Sequence, residues 1–182
     1  MALSKAAGVI HTRTLLREKG KEAEAKLLSR LTPEEQVQYL ALLPVSKIPI
    51  ETATKIYLAS VPILFPDKTV SQGMQELARS TALNDMRGVY SILLRFTTPE
   101  FMIKQTAKIW QTYHDAGEAT AEHVGPKQAL LRVTRYPDLP KAFLDIVSGY
   151  ILGLFQISGV KNTQMQVRDH NPEAWEWLVS WD

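Results

Sequence analysis

The chain contains no cysteine. That absence removes disulfides, thiolate metal sites, a cysteine nucleophile and cysteine acylation together, and it accords with a reducing compartment. Long hydrophobic runs are missing as well. The longest uncharged stretch, IVSGYILGLFQISGV between Asp145 and Lys161, has fifteen residues, short of the ~20 needed to cross a bilayer. It reads as a buried helix, and no membrane span is expected. Near the start His11 and Arg13 interrupt any apolar stretch that could direct export, so a cytoplasmic protein is expected. An excess of one charge is lacking too. The formal net charge of +2 is too small to argue for nucleic acid. Residues 1–30 do carry seven Lys/Arg (Lys5, Arg13, Arg17, Lys19, Lys21, Lys26 and Arg30), but these are interleaved with Leu15, Leu16, Ala23, Leu27 and Leu28. That pattern is the solvated side of amphipathic helices rather than a DNA or lipid patch.

Motifs that announce chemistry are absent. There is no Walker loop, nucleophile elbow or dinucleotide fingerprint, and Gly149-x-x-x-Gly153 lies inside an apolar helix, where it reads as close packing of that helix on a sheet. The histidines His11, His114, His123 and His170 show no helical pairing at three or four residues, so no metal site is assigned. His114, near a helix C-terminus, reads as an imidazolium set against the helix dipole. No catalytic residue is assigned and a non-enzymatic protein is expected. An enzyme acting on a hydrophobic substrate would need a cleft with convergent titratable groups.

What is present describes an ordinary globular chain. Its 182 residues, 45% apolar and 22% charged, are enough to bury roughly 70% of the unfolded surface, and one domain over 1–182 is expected, with two lobes. In the first, helices break near Gly20, a cap at Thr32 precedes Pro33 and Glu35, PVSKIP reads as a loop, and helices follow over 50–65, 70–84 and RGVYSILLRF. The cap Thr98-Pro99-Glu100 opens a helix with Met102, Ile109, Trp110 and Tyr113 on one face. EATAEHVGPKQALLRVTRY alternates on each side of Gly125-Pro126 as two antiparallel strands, LPKAFLDIVSGYILGLFQISG restores helical spacing, and MQVRDHNPEAWEWLVSWD gives two more strands. The fold class is therefore α+β: a helical lobe over about 1–97 and an αββαββ lobe over about 98–182, with a four-stranded antiparallel sheet covered by both helices on one face. In the last strand Trp175, Trp177, Val179 and Trp181 alternate toward that face and read as core.

Three stretches, GVIHTRTLLREKG, RGVYSILLRFTTPEFMIKQTAKIWQTYHDAGE, and FLDIVSGYILGLFQISGV with the strands ending in WEWLVSW, resemble a superfamily. It includes haem nitric-oxide-binding (H-NOX) domains, 4-vinyl-reductase domains and TRAPP tethering subunits. A closer likeness is to an uncharacterised myxobacterial paralogous family of the same fold. The resemblance implies two lobes with a ligand-sized apolar space between them, and homodimerisation. It also shows departures. H-NOX domains use an axial histidine on the helix before the first strand and a Tyr-x-Ser-x-Arg motif, whereas this chain offers His114 at the very end of that helix and reads Val133-Thr134-Arg135-Tyr136-Pro137 after the second strand. Haem is not expected, and no other cofactor is.

The expected function is a regulatory or sensory module that binds a small apolar ligand between its lobes and signals to a protein partner. Tyr90, Met102, Trp110 and Tyr113 are the candidate ligand-binding residues. The alternative is an adaptor without a ligand, working through an exposed apolar surface or a dimer interface.

Overall fold

A computed structural model describes residues 2–87, 98–136, 139–170 and 173–182. The chain begins with a three-residue strand, β1 (Leu3–Lys5), followed by α1 (Ala7–Lys19), α2 (Lys21–Leu28), α3 (Pro33–Ala41), a second short strand β2 (Lys47–Pro49), α4 (Ile50–Leu64) and α5 (Val70–Arg87). Then come α6 (Pro99–Tyr113), β3 (Glu118–Gly125), β4 (Gln128–Thr134), α7 (Phe143–Ile157), β5 (Gln164–His170) and β6 (Ala174–Ser180). The architecture is α+β, with seven helices among the described residues and a four-stranded antiparallel sheet in the order β3-β4-β6-β5.

Local chemistry accounts for the boundaries. Gly20, at φ 119° and ψ 161°, takes a backbone conformation closed to residues with a Cβ and separates α1 from α2. Thr32 caps α3 through a reciprocal capping box with Glu35, and Pro33 fills the first helical position, where a missing N–H costs nothing. Thr98 caps α6 from one side only, its hydroxyl accepting from the Phe101 amide at 3.2 Å, again with Pro at the first helical position.

PVSKIP, expected as a loop, contains β2, which pairs antiparallel with β1 through Leu3↔Pro49, Ser4↔Ile48 and Lys5↔Lys47. Hydrogen bonds from Ala6 N to Ser46 O (2.9 Å) and from Ile50 N to Ala2 O (3.0 Å) extend the ribbon at both ends. Three residues are too few to display an alternation, and their partner lies more than forty positions away, so this pairing is set by tertiary contacts. Of RGVYSILLRF, expected as a further helix, Arg87 ends α5 and positions 88–96 lie outside the described residues.

The large sheet presents its inward residues in rows. Ala119, Val133 and Trp175 stand side by side, then Ala121, Leu131 and Trp177, then His123, Ala129 and Val179. Trp177 and Val179 are fully enclosed, and Trp175 and Trp181 nearly so. The burial of these four in the core follows from their alternation. Edge strand β5 departs from this: nearly all of it is exposed, and Val167, level with Trp177, stays 43% accessible. On the opposite face Glu176 lies between Arg132 and Arg168 in register, with Arg132 at 2.6 Å.

The glycines of α7 pack on a helix, not on the sheet. A Cβ on Gly149 would strike the carbonyl oxygen of Gln75 and lie 2.6 Å from its Cα; one on Gly153 would lie 2.7 Å from the Ala82 Cβ and 3.0 Å from the Arg79 oxygen. The two glycines are what let α5 and α7 touch backbone to backbone. A single apolar core cluster runs from Val9, Leu16 and Ile56 to Trp110, Phe143 and Trp177, joining the helical half to the α/β half.

Candidate functional site

Between these halves lies a cavity of about 120 Å³, against the roughly 10–15 Å³ that a single water requires on the same measure. Six parts of the fold wall it. The β1–α1 corner supplies Ser4, Lys5 and Gly8, and α4 supplies Tyr57; α5 contributes Leu77, Ala78 and Thr81. From α6 come Thr106, Ile109 and Trp110, with Tyr113 and His114 at its end. Residues 106, 109, 110, 113 and 114 recur at three and four, so they form one stripe along the helix. Phe143, Ile146, Val147, Tyr150, Ile151 and Leu154 form the matching stripe of α7, and the sheet closes the space with Ala119, Leu131, Val133 and Trp177.

The candidate residues separate accordingly. Trp110 and Tyr113 line the cavity. Met102 does not: it is buried with Ala82 and Leu154 in a small satellite cluster. At 1.5 Å per residue, eight positions carry it about 12 Å along α6 from Trp110, and Leu154 stands at the boundary between cluster and cavity. Tyr90 lies outside the described residues.

Several wall residues are absent from that reading. Trp177 serves as core and as wall, its indole N–H donating to Ser148 Oγ at 2.9 Å while that hydroxyl donates to the Leu144 carbonyl at 2.7 Å. Alternation located Trp177 in the core, but no local signal tells a core position from one that borders a void. Tyr150 and Tyr113 form a hydroxyl cluster with Asp85. Tyr113 donates to Asp85 Oδ2 at 2.6 Å, and the Tyr150 hydroxyl lies 3.0 Å from that of Tyr113 and 3.3 Å from Asp85. Burial, followed by the nearby Tyr113 and Asp85, raises the Tyr150 phenol well above its ordinary range, and burial likewise raises Tyr57. Both remain neutral donors at physiological pH.

His114 requires a correction. Its ring stacks on Trp110 at 4.1 Å, meets Tyr136 and Phe143 edge to face, and has an enclosed Nδ1 with no hydrogen-bond partner among the described residues. Burial lowers its pKa to about 4, only partly opposed by Asp115. The side chain is a neutral imidazole at pH 7, and the expected imidazolium–dipole interaction does not operate. A charge there would lose more hydration than the end of one helix returns. Among the described residues no three His, Asp or Glu side chains converge as metal ligands.

Comparison with known proteins identifies the fold. Residues 44–182 match the family described as Protein of unknown function (DUF2378). A comparison with curated proteins finds no match. Among solved structures, the chain is similar to an Fe(II) unliganded H-NOX protein mutant from K. algicida, at 9% identity and a TM-score of 0.72, covering 98% of this chain and 96% of that one. It is similar to an H-NOX protein from S. oneidensis in the Fe(II)NO ligation state, at 8% identity and a TM-score of 0.70, covering 97% and 98%. A mutant H-NOX of T. tengcongensis matches at 13% identity and a TM-score of 0.65, covering 98% and 97%. At such identities the likeness establishes an H-NOX-like fold and nothing about activity.

Proposed function

The chain belongs to the DUF2378 family of proteins of unknown function, and on the geometry of its cavity we propose that it is a non-enzymatic sensory module. It takes a small apolar ligand between its helical and α/β halves and passes the change to a protein partner. The observation that carries this reading is the cavity wall: an apolar space whose sides come from α1, α4, α5, α6, α7 and the sheet. An occupant of that space touches both halves at once and shifts their packing by its differential affinity for the two arrangements.

The reading includes no haem. A haem iron bound through histidine needs a ring nitrogen that it can reach. Here the ring of His114 is stacked on Trp110 at 4.1 Å and flanked edge to face by Tyr136 and Phe143, so aromatic side chains occupy both its face and its edges. These residues do not fit a porphyrin without rebuilding that cluster. The module is proposed to work in the cytoplasm, without nucleic acid; the 4-vinyl-reductase and TRAPP likenesses and a homodimer belong to the same reading.

Native mass spectrometry of the purified protein is the test. A noncovalent mass that disappears on denaturation is the expected result, and its size would identify the ligand class. A bare protein whose melting temperature stays unchanged across a panel of apolar compounds would reject the reading, because a ligand specific for the folded state must raise it.

One further observation favours a second reading, an adaptor. Val37, Leu40, Leu43 and Val45, on α3 and the turn after it, are 70, 52, 62 and 83% exposed. Replacing Val37 and Leu40 with Ser would abolish partner capture under the adaptor reading and leave ligand binding intact under the sensory one.

A further inference from the structure

The cavity is apolar nearly throughout, but its β1–α1 corner is different in kind. Lys5 lines it there, with its ammonium 5.6 Å above the Tyr113 ring and no carboxylate at ion-pair distance among the described residues. Arg132, whose backbone passes the cavity between Leu131 and Val133, has its side chain on the opposite face of the sheet, where Glu176 holds it at 2.6 Å. Asp115 and Asp85 are also engaged: Asp115 accepts from the Leu3 amide at 2.7 Å, and Asp85 from the Tyr113 hydroxyl at 2.6 Å. Lys47 stands directly opposite Lys5 across the ribbon, so two ammonium groups share one side of it. Like charges so placed repel each other, and an anion between them would relieve the repulsion.

The same corner holds the start of α1. This thirteen-residue helix has Ala6 at its N-cap, which offers no side-chain cap, and its first turn carries no acidic residue. The Ala6 amide donates to Ser46 O at 2.9 Å, and the amides of the first turn, with the helix dipole behind them, favour an anion. Gly8, in that first turn, borders the cavity, and the Tyr57 hydroxyl comes within 2.5 Å of the place a Cβ on Gly8 would occupy. An ammonium, a phenol donor and an uncapped helix start therefore meet at one end of an apolar space.

We propose that the natural ligand is an aliphatic carboxylic acid, whose carboxylate is held at this corner by Lys5, Tyr57 and the first turn of α1 while its chain fills the cavity. The proposal rests on the sensory reading and adds the polarity of the ligand to it. A carboxylate buried among Ile146, Val147 and Leu154 would pay a large desolvation cost, whereas at Lys5 it stays paired and partly hydrated.

The test compares decanoic acid with decanol by isothermal titration calorimetry on the full chain, in wild type and in K5M, K5R and Y57F. The acid is expected to bind about tenfold more tightly than the alcohol, the difference typical of a charge-assisted hydrogen bond. K5M should abolish that preference without weakening decanol, K5R should keep most of it, and Y57F should reduce it several-fold. Unchanged melting temperatures would establish that the variants are folded, and Y57F with the salt dependence of acid binding decides the matter should K5M unfold. Equal binding of acid and alcohol, or a preference indifferent to both substitutions, overturns the carboxylate assignment and leaves the cavity reading intact. Failure of both compounds to bind overturns the two together.

Discussion

His114 shows how a residue in sight can still be misread. Its position at the end of a helix is legible in the sequence, and a solvated histidine there would carry a proton. What the sequence does not display is the set of neighbours: Trp110 one turn back, but also Tyr136 and Phe143 from distant segments. The outcome is a depressed pKa of about 4 in place of the ordinary 6.5. Because the unfolded chain binds this proton more readily than the folded one, His114 contributes its full stability above pH 6.5. That contribution is lost as pH falls toward 4. Burial lowers His11 as well, in the same direction. A fall of up to about 3 kcal/mol from His114 alone is expected between these limits, measured as urea-unfolding free energy against pH. His114→Leu should flatten the profile over that interval; a variant that follows the wild-type slope would show that the titration lies elsewhere.

Elements were legible in proportion to how local their causes are. The capping box at Thr32, the break at Gly20 and the hairpin around Gly125-Pro126 are written in neighbouring residues, and the long strands declare themselves by alternation. The β1–β2 ribbon has no such local cause, since each strand is three residues long and its partner is remote. For Gly149 and Gly153 the sequence disclosed that something approaches closely, without saying what. The neighbour is α5, and the approach is too near for a methyl group to be absorbed by a side-chain rotation, because the obstacle at Gly149 is the Gln75 backbone. Gly149→Ala is expected to cost about 2–3 kcal/mol by forcing the two helices apart. Gly153→Ala, which meets the Ala82 methyl first, should cost less. Thermal melts of the two variants rank these effects; an inverted order would place the tight contact one turn further along.

For the molecule as a whole, the fold was far more legible than the cavity. Apolar stripes on α6 and α7 specify that each helix buries one face, but whether two buried faces interlock or stand apart depends on their relative placement, which no periodicity encodes. Trp110 and Tyr113 lie where the faces stand apart, and Met102, on the same helix, lies where they close. A void of this kind leaves its lining without van der Waals partners on one side and holds stability in reserve. Val147→Phe, directed into the space from α7, is expected to raise the melting temperature of the ligand-free protein by about 2–4 °C while blocking decanoic acid. A stabilised protein that still binds the acid at wild-type strength would locate the ligand elsewhere.

The short ribbon at the start of the chain bears on how relatives should be compared. Family likeness covers 44–182, yet β2 within that span completes its ladder with Leu3–Lys5, and Ser4, Lys5 and Gly8 form part of the cavity wall. The stretch recognisable by descent is thus shorter than the stretch that closes the fold. Two members alike from residue 44 onward could differ over their first dozen residues and, with that corner changed, answer to different molecules.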